Sequence, residues 1–538
     1  MNAENLSFRF LKAELLTMED NMSQARLPQA IAQMMQGDFY PHPVQEPITL
    51  MQTHASFLLL TGDYVYKVKK SVNFGFLDYS TLKKRHHFCS EELRLNRQIA
   101  PQMYLEVVAV TKTDSGLELN GEGEPIEYAL KMRQFPQEAL LIHQFEQGQL
   151  TQEQMAQLGQ VVAEFHRQTP TSDSIRKFGE VARIREAIDN NYKQSQPYID
   201  GPQTRQQFEE TKAYSDRFFA ERSAQFEQRM LTDKIRECHG DLHLKNIARW
   251  DNQILLFDRI EFNEAFRFVD VMYDIGFVVM DIEARGRQDL ANGFLNTYLE
   301  QTGDWQGLQV LRLYLSRQAY VRAKVTSLML DDANIAEDEK EGAWQTARDY
   351  YHLAWQYTQP RQGRLILMCG LSGSGKSTIA RQLARATGAI QIRSDAVRKH
   401  LAGIPLPSKG SDEIYSAEMT AQTYGRLLEL GIMGASEGWT VILDAKYDRQ
   451  GLREAAIAAA KDRGLTLQIL HCTAPIAILR DRLNHRQGDI ADATADLLDT
   501  QQQTAEPFCE NEIPSVTSLD TTGDIEAQLK SFISQFNP

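Results

Sequence analysis

The stretch GLSGSGKS, Gly370–Ser377, lies between the apolar run LILMCG and a helical pattern, and it constrains the fold more than any other feature of the chain. It fits the pattern GxxxxGK[ST]. Small residues there let backbone N–H groups wrap a phosphate, and the start of the following helix adds a favourable dipole. On this reading Gly370, Ser372, Gly373, Ser374, Gly375, Lys376, Ser377 and Thr378 make a nucleotide-binding loop, in which Lys376 reaches the β/γ-phosphates and Ser377 holds Mg²⁺. Four further strand-like runs follow, IQIRS, WTVILDA, LTLQILHC and SVTSL, with helical patterns between them. That alternation predicts a parallel sheet covered on both faces.

Residues around this loop narrow the chemistry. IRSDAVRK places Asp395 and Arg398 three apart, on one face of a helix start. VILDAKYDR ends a strand with Asp444, where a carboxylate linked to Mg²⁺ or substrate would sit, and ILRDRLNHR sets Arg480, Arg482 and Arg486 on a helix able to cover a phosphate. From about residue 364 onward the chain resembles the small P-loop kinases that phosphorylate polynucleotide ends, gluconate or, in the zeta-toxin group, amino sugars. The resemblance implies that Asp395 is a general base, Arg398 a substrate clamp, and Arg482 and Arg486 lid residues on nucleotide and transferring phosphate.

A second constellation stands upstream, in ECHGDLHLKNIARWDNQILLFDRIEF, Glu237–Phe262. Phosphoryl transfer to a hydroxyl needs a carboxylate to receive the proton, metal ligands beside the phosphates, and a cation on the α/β-phosphates. Asp241 suits the first role. Asn246, five residues on, and Asp258, beyond an apolar run, offer the hard oxygen donors that Mg²⁺ prefers. The spacing is that of the protein-kinase catalytic loop with Gly240 in place of its arginine. That replacement makes residues 45–290 resemble the aminoglycoside phosphotransferase family, whose fold is protein-kinase-like. The resemblance implies a phosphate-binding lysine at Lys67, or Lys69 two residues on, paired with Glu92 or its neighbour Glu91. It also implies that Asp270 and Asp274 brace the catalytic loop. No GxGxxG covers the phosphates; Gln52–Ser56 occupies that turn instead.

The expected organisation is a helical extension over 1–45, an α+β protein-kinase-like domain over 46–358, a linker over 359–363, and an α/β P-loop domain over 364–538. A chain of 538 residues has room for several domains. The net charge of −14 disfavours nucleic acid and membrane surfaces as partners. Five dispersed cysteines without a CxxC pair, and an acidic amphipathic start, point to a soluble cytoplasmic protein. The function expected is an ATP- and Mg²⁺-dependent kinase, bifunctional, acting on hydroxyls of small molecules. Its competitors are a regulatory ATP-binding protein, in which one module senses ligand and controls the other, and a polynucleotide-end or toxin-like kinase.

Overall fold

The computed structural model describes residues 27–114, 116–333, 335–486 and 488–534. The acidic start of the expected N-terminal extension lies outside them. The described chain opens with a short helix, Gln29–Met34, followed by a 3-10 turn at Gly37–Phe39 and irregular chain through Pro41 and Pro43. The chain divides into two compact units. Among the described residues, the first comprises those up to 151 together with 164–285 and 313–358 (without 152–163); the second comprises 152–163, 286–312 and those from 359 onward.

The first unit opens with an antiparallel sheet of six strands: β1 (Thr49–Gln52), β2 (Ser56–Leu60), β3 (Tyr64–Lys69), β4 (Tyr104–Thr113), β5 (Gly116–Leu119) and β6 (Glu124–Arg133), in the order β1-β2-β3-β6-β4-β5. A hairpin around Thr61–Asp63 joins β2 to β3, with Leu58 opposite Lys67. Alternation along these strands sends Phe57, Leu59, Tyr66, Val68, Val108, Val110 and Ala129 into one core. Helix α1 (Leu82–Arg97) starts where the Thr81 hydroxyl accepts from the Lys84 N–H, and it buries Cys89, Glu92 and Leu95. Strands β7 (Ile235–Glu237), β8 (Ile247–Trp250) and β9 (Gln253–Leu256) follow a run of helices. The β8–β9 turn is Asp251–Asn252, both at positive φ, as a two-residue hairpin of this twist requires. Strand β10 (Phe268–Asp270) pairs with β7 and leads into α2 (Val271–Ala284), which is buried almost throughout.

The second unit contains the parallel sheet: β11 (Arg364–Cys369), β12 (Ile390–Arg393), β13 (Thr440–Asp444), β14 (Thr466–Thr473) and β15 (Val516–Asp520), in the order β12-β13-β11-β14-β15. Ile366 and Met368 face a core with Ile379, Leu383, Leu529 and Phe532. Leu365 belongs to the opposite face, where it and Leu443 lie close to Gly431 of the helix Ala417–Ser436. Both faces are therefore covered, as near-continuous apolar strands demand. Helix α3 (Gln288–Thr302) belongs to this unit, although it precedes β11 by more than sixty residues.

Candidate functional site

In the first unit the Lys67 ammonium lies 2.8 Å from Glu92 Oε1 and 2.6 Å from Asp258 Oδ1. Burial opposes its charge, but the two carboxylates outweigh that and raise its pKa well above the ordinary value. Lys69 is deeper. It donates to Glu92 Oε2 at 2.7 Å, to Glu261, and to the Tyr79 hydroxyl at 3.3 Å. One glutamate thus holds both strand lysines, while Glu91 pairs with Arg94 on the outside of α1. The two lysines are two residues apart on β3 and so point the same way, which is why the sequence alone left the pair open.

Asp258 adopts φ +63°, a left-handed conformation uncommon for a non-glycine residue, and its N–H donates to the Tyr104 hydroxyl at 3.0 Å. The catalytic-loop stretch is tied down from α2. Asp274 accepts from the N–H groups of His239 (3.1 Å) and Gly240 (2.7 Å), and Asp281 from that of Leu244 (3.1 Å). Asp270 is held by the Arg229 guanidinium and caps α2 through the Met272 N–H. His166 lies with Nε2 3.0 Å from Asp274. His239 acts as a loop brace, its Nε2 2.8 Å from the Phe257 carbonyl.

Asn246 donates through Nδ2 to the carbonyl and Oδ2 of Asp241, at 2.9 and 3.2 Å, so its own Oδ1 remains as an oxygen donor. That oxygen and the Asp258 carboxylate are donors of the hard kind that Mg²⁺ prefers. Asp241 is 3.3 Å from His243 Nε2. Burial would raise its pKa, but His243, Arg322 and His239 bring it below the usual carboxylate range. Lys245 sits nearby, with its pKa pushed down to about 8 by burial, then by Arg322 and Arg285. Sequence reasoning missed His243, Asp281, Glu261 and Arg322. Asp281 had a readable signal: it is seven residues from Asp274, on the same face of one buried helix. In the Gln52–Ser56 turn the Thr53 hydroxyl is used locally, accepting from the Ser56 N–H at 2.9 Å.

In the second unit the carboxyl ends of the parallel strands gather the expected residues, where open α/β sheets present ligand sites. Gly370 follows β11, Asp395 follows β12, and Asp444 ends β13. Lys376 donates to the Leu371 carbonyl at 2.7 Å, and burial lowers its pKa. Gln501 clamps Ser372 through its N–H and hydroxyl, at 3.0 and 3.1 Å. The Ser374 hydroxyl is buried without a hydrogen-bond partner, a polar atom for a phosphate-lined turn to satisfy. Thr378 is exposed on the first turn of α4 (Lys376–Thr387). Gln391 donates to Asp444 Oδ2 at 2.8 Å and to the Ser377 carbonyl at 3.3 Å, which brings the two expected Mg²⁺ residues together. Their oxygen chemistry fits that ion.

Asp395 opens α5 (Ser394–Ala402); burial, with Asp444 and Asp489 beside it, raises its pKa. Arg398 is occupied by the Ile414 carbonyl (2.6 Å) and Thr420 hydroxyl (3.2 Å) and lies over the Tyr415 ring. Arg482, on α6 (Ile476–His485), reaches Thr521 at 2.8 Å and the Gly373 carbonyl at 3.5 Å, alongside the phosphate-loop turn. Arg486 is not on that helix as expected. The backbone becomes extended there, and its guanidinium donates to the carbonyls of Ala491 (2.9 Å) and Ala493 (2.5 Å). Arg480 pairs outward with Asp499.

Comparison with known proteins finds two successive matches along the chain. Residues 54–314 match the family described as "Phosphotransferase enzyme family", and residues 365–508 match one described as "AAA domain". The chain therefore carries an aminoglycoside phosphotransferase-like, protein-kinase-like region followed by a P-loop kinase domain with a parallel sheet. The two matches support a kinase-type phosphotransfer reading. Uncharacterized proteins of Mycobacterium tuberculosis and Mycobacterium bovis are 29% identical to it over 462 residues, which cover 85% of this chain and 90% of each relative. Similar solved structures include a sugar kinase from Janibacter sp. (24% identity, 33% of this chain, 95% of that one, TM-score 0.25). Another is a choline/ethanolamine kinase family protein from Mesorhizobium loti (10% identity, 61% of this chain, 98% of that one, TM-score 0.36). No helix among the described residues is long and apolar enough to cross a membrane.

Proposed function

We propose that the chain is a bifunctional kinase with two nucleotide sites, each passing the γ-phosphate of ATP to a hydroxyl of a small molecule. The observation that carries this reading is the joining of Lys67, Glu92 and Asp258 at ion-pair distance in the unit that also holds Asp241 and Asn246. Glu92 also neutralises the buried Lys69, but the further convergence of Lys67 and Asp258 beside a loop braced by Asp274 and Asp281 suits a triphosphate and its metal.

In the first unit Lys67, held by Glu92, binds the α/β-phosphates. Asp241 orients the acceptor hydroxyl and takes its proton as the new O–P bond forms, and its depressed pKa keeps it ionised and ready to accept. In the second unit Lys376 and the loop N–H groups hold the nucleotide, Arg482 covers the transferring phosphate, Arg486 fixes the segment after the lid helix, and Arg398 shapes the acceptor side. Asp395 is the base there, and its raised pKa brings it closer to the working range of such a group. Mg²⁺, when bound, neutralises phosphate charge; Asn246 and Asp258 would hold it in one unit, Ser377 and Asp444 in the other. Dispersed, unpaired cysteines support a cytoplasmic setting.

Calorimetric titration with a non-hydrolysable ATP analogue tests the two-site reading. Two equivalents should bind the wild type, and one should bind each of Lys67→Ala and Lys376→Ala. Saturation at one equivalent that Lys376→Ala abolishes would leave the first unit without a nucleotide site.

A further inference from the structure

Arg393 ends β12 beneath the P-loop site, and its side chain faces carboxylates from three separate elements. Nη2 donates to Asp489, Nη1 lies 3.9 Å from Glu300 Oε2, and Nε lies 3.9 Å from Asp444 Oδ2. The residue is 4% exposed, and Nε has no hydrogen-bond partner. Asp489 follows the lid helix α6, Asp444 ends β13, and Glu300 comes from α3, outside the stretch that matches the P-loop family. Helix α3 is fixed against this sheet: Asn292 donates to the Ala389 carbonyl at 2.9 Å, and His400 Nε2 lies 2.7 Å from the Glu300 carbonyl. Burial raises the Glu300 pKa, with Arg393 and then Arg381 opposing it.

Asp489 holds one nitrogen of the guanidinium by a hydrogen bond, while Glu300 and Asp444 each lie 3.9 Å from another nitrogen and pull on the remainder of the group. Remove one, and Arg393 moves to those that remain. Asp444 is the partner whose capture has a consequence, because it sits beside Ser377 in the donor set that fits a divalent cation. We propose that Glu300 is a positioning residue of the P-loop site, holding Arg393 off Asp444 so that Asp444 stays open to a divalent cation. The proposal rests on the reading of residues 370–378 as a nucleotide–Mg²⁺ site. It makes that site composite: a stretch matching only the P-loop family lacks one of its working carboxylates.

The test uses the full chain carrying Lys67→Ala, which leaves the P-loop as the nucleotide site, and follows binding of a fluorescent N-methylanthraniloyl-ATP as Mg²⁺ is raised. Glu300→Gln should shift the Mg²⁺ midpoint upward about tenfold, the scale on which groups behind a metal ligand act. Binding in metal-free buffer and the thermal midpoint should stay near the parent's. Glu300→Asp, which keeps the charge, should fall between the two. Adding Arg393→Gln to Glu300→Gln should restore the midpoint, because no guanidinium remains to occupy Asp444. An unchanged midpoint in Glu300→Gln, or no recovery in the double variant, overturns the proposal. If Lys376→Ala leaves the binding itself unaffected, the nucleotide-site reading fails first and the proposal falls with it.

Discussion

The Gln391 backbone N–H donates to the side-chain oxygen of Asn296 at 2.7 Å, and the Asn296 amide returns a hydrogen bond to the Ala389 carbonyl at 3.0 Å. One carboxamide thus does what a neighbouring strand would do for β12, which is hydrogen-bonded within the sheet only to β13. Exposed strand edges invite pairing with other chains, and covering one with a helix is a known remedy. Here the helix also satisfies the backbone.

Asn296→Leu should therefore cost more than its partly exposed position suggests. Leucine fills the space but leaves an N–H without its partner, at about 1–3 kcal/mol. A fall in the urea midpoint of the second unit, followed by fluorescence of Trp439, would report it. An unchanged midpoint would mean that water replaces the carboxamide at little cost.

Lys67 and Lys69 should separate by phenotype. Lys69 is 2% exposed and is the buried counter-ion of Glu261. Lys69→Met strands that carboxylate, a loss of about 3–5 kcal/mol for a buried pair broken on one side, and should lower the thermal midpoint by several degrees or more. Lys67→Ala leaves Glu92 still paired with Lys69, so the fold should persist while nucleotide binding at this unit is lost. Equal melting losses in both variants would contradict the division.

Acid should loosen the catalytic loop through His239. Its Nδ1 accepts from the Asp241 N–H at 3.3 Å while Nε2–H donates to the Phe257 carbonyl, so the neutral ring satisfies both partners. Burial, opposed by Asp274 and Asp241, holds its pKa below the usual 6.5. Between those two values the unfolded chain binds more protons than the folded one, so stability falls as pH drops below about 6.5. Asp241 and Asp274, whose pKa values lie below the ordinary carboxylate value, lose their contributions only near pH 4 and lower. Between pH 7 and 5 the melting midpoint should thus drop less steeply in His239→Gln than in wild type. Parallel slopes would refute the assignment.

Much of this was legible in the chain because local signals agreed. The five parallel strands are apolar runs separated by helical periodicity, and each lies where the pattern puts it. Short edge strands such as Thr49–Gln52 and Gly116–Leu119 carry too few residues for a period to emerge. The catalytic-loop stretch was readable from HGDLHLKN, yet Glu261 and Arg322 were not, because their meaning depends on partners far away in sequence. Glu300 is the extreme case. Nothing in GFLNTYLEQTG marks a glutamate that reaches a site built from residues 370–492; tertiary packing alone delivers it.

Gly240 is the position where the first unit should tolerate no side chain. Its φ of +88° is a conformation L residues avoid, at about 1–2 kcal/mol. A Cβ there would also lie 2.6 Å from the Phe266 carbonyl oxygen, a backbone atom with no flexible end to swing away. The loop would have to shift, yet its N–H is anchored at 2.7 Å on Asp274, so the strain passes to the next residue, Asp241. A displacement near 1 Å at a proton acceptor costs on the order of a hundredfold in rate. Gly240→Ala should accordingly lower phosphotransfer from this unit by about that factor while both equivalents of ATP analogue still bind, since Lys67, Glu92 and Asp258 lie on other elements. Loss of one equivalent in this variant would show instead that the glycine supports nucleotide binding.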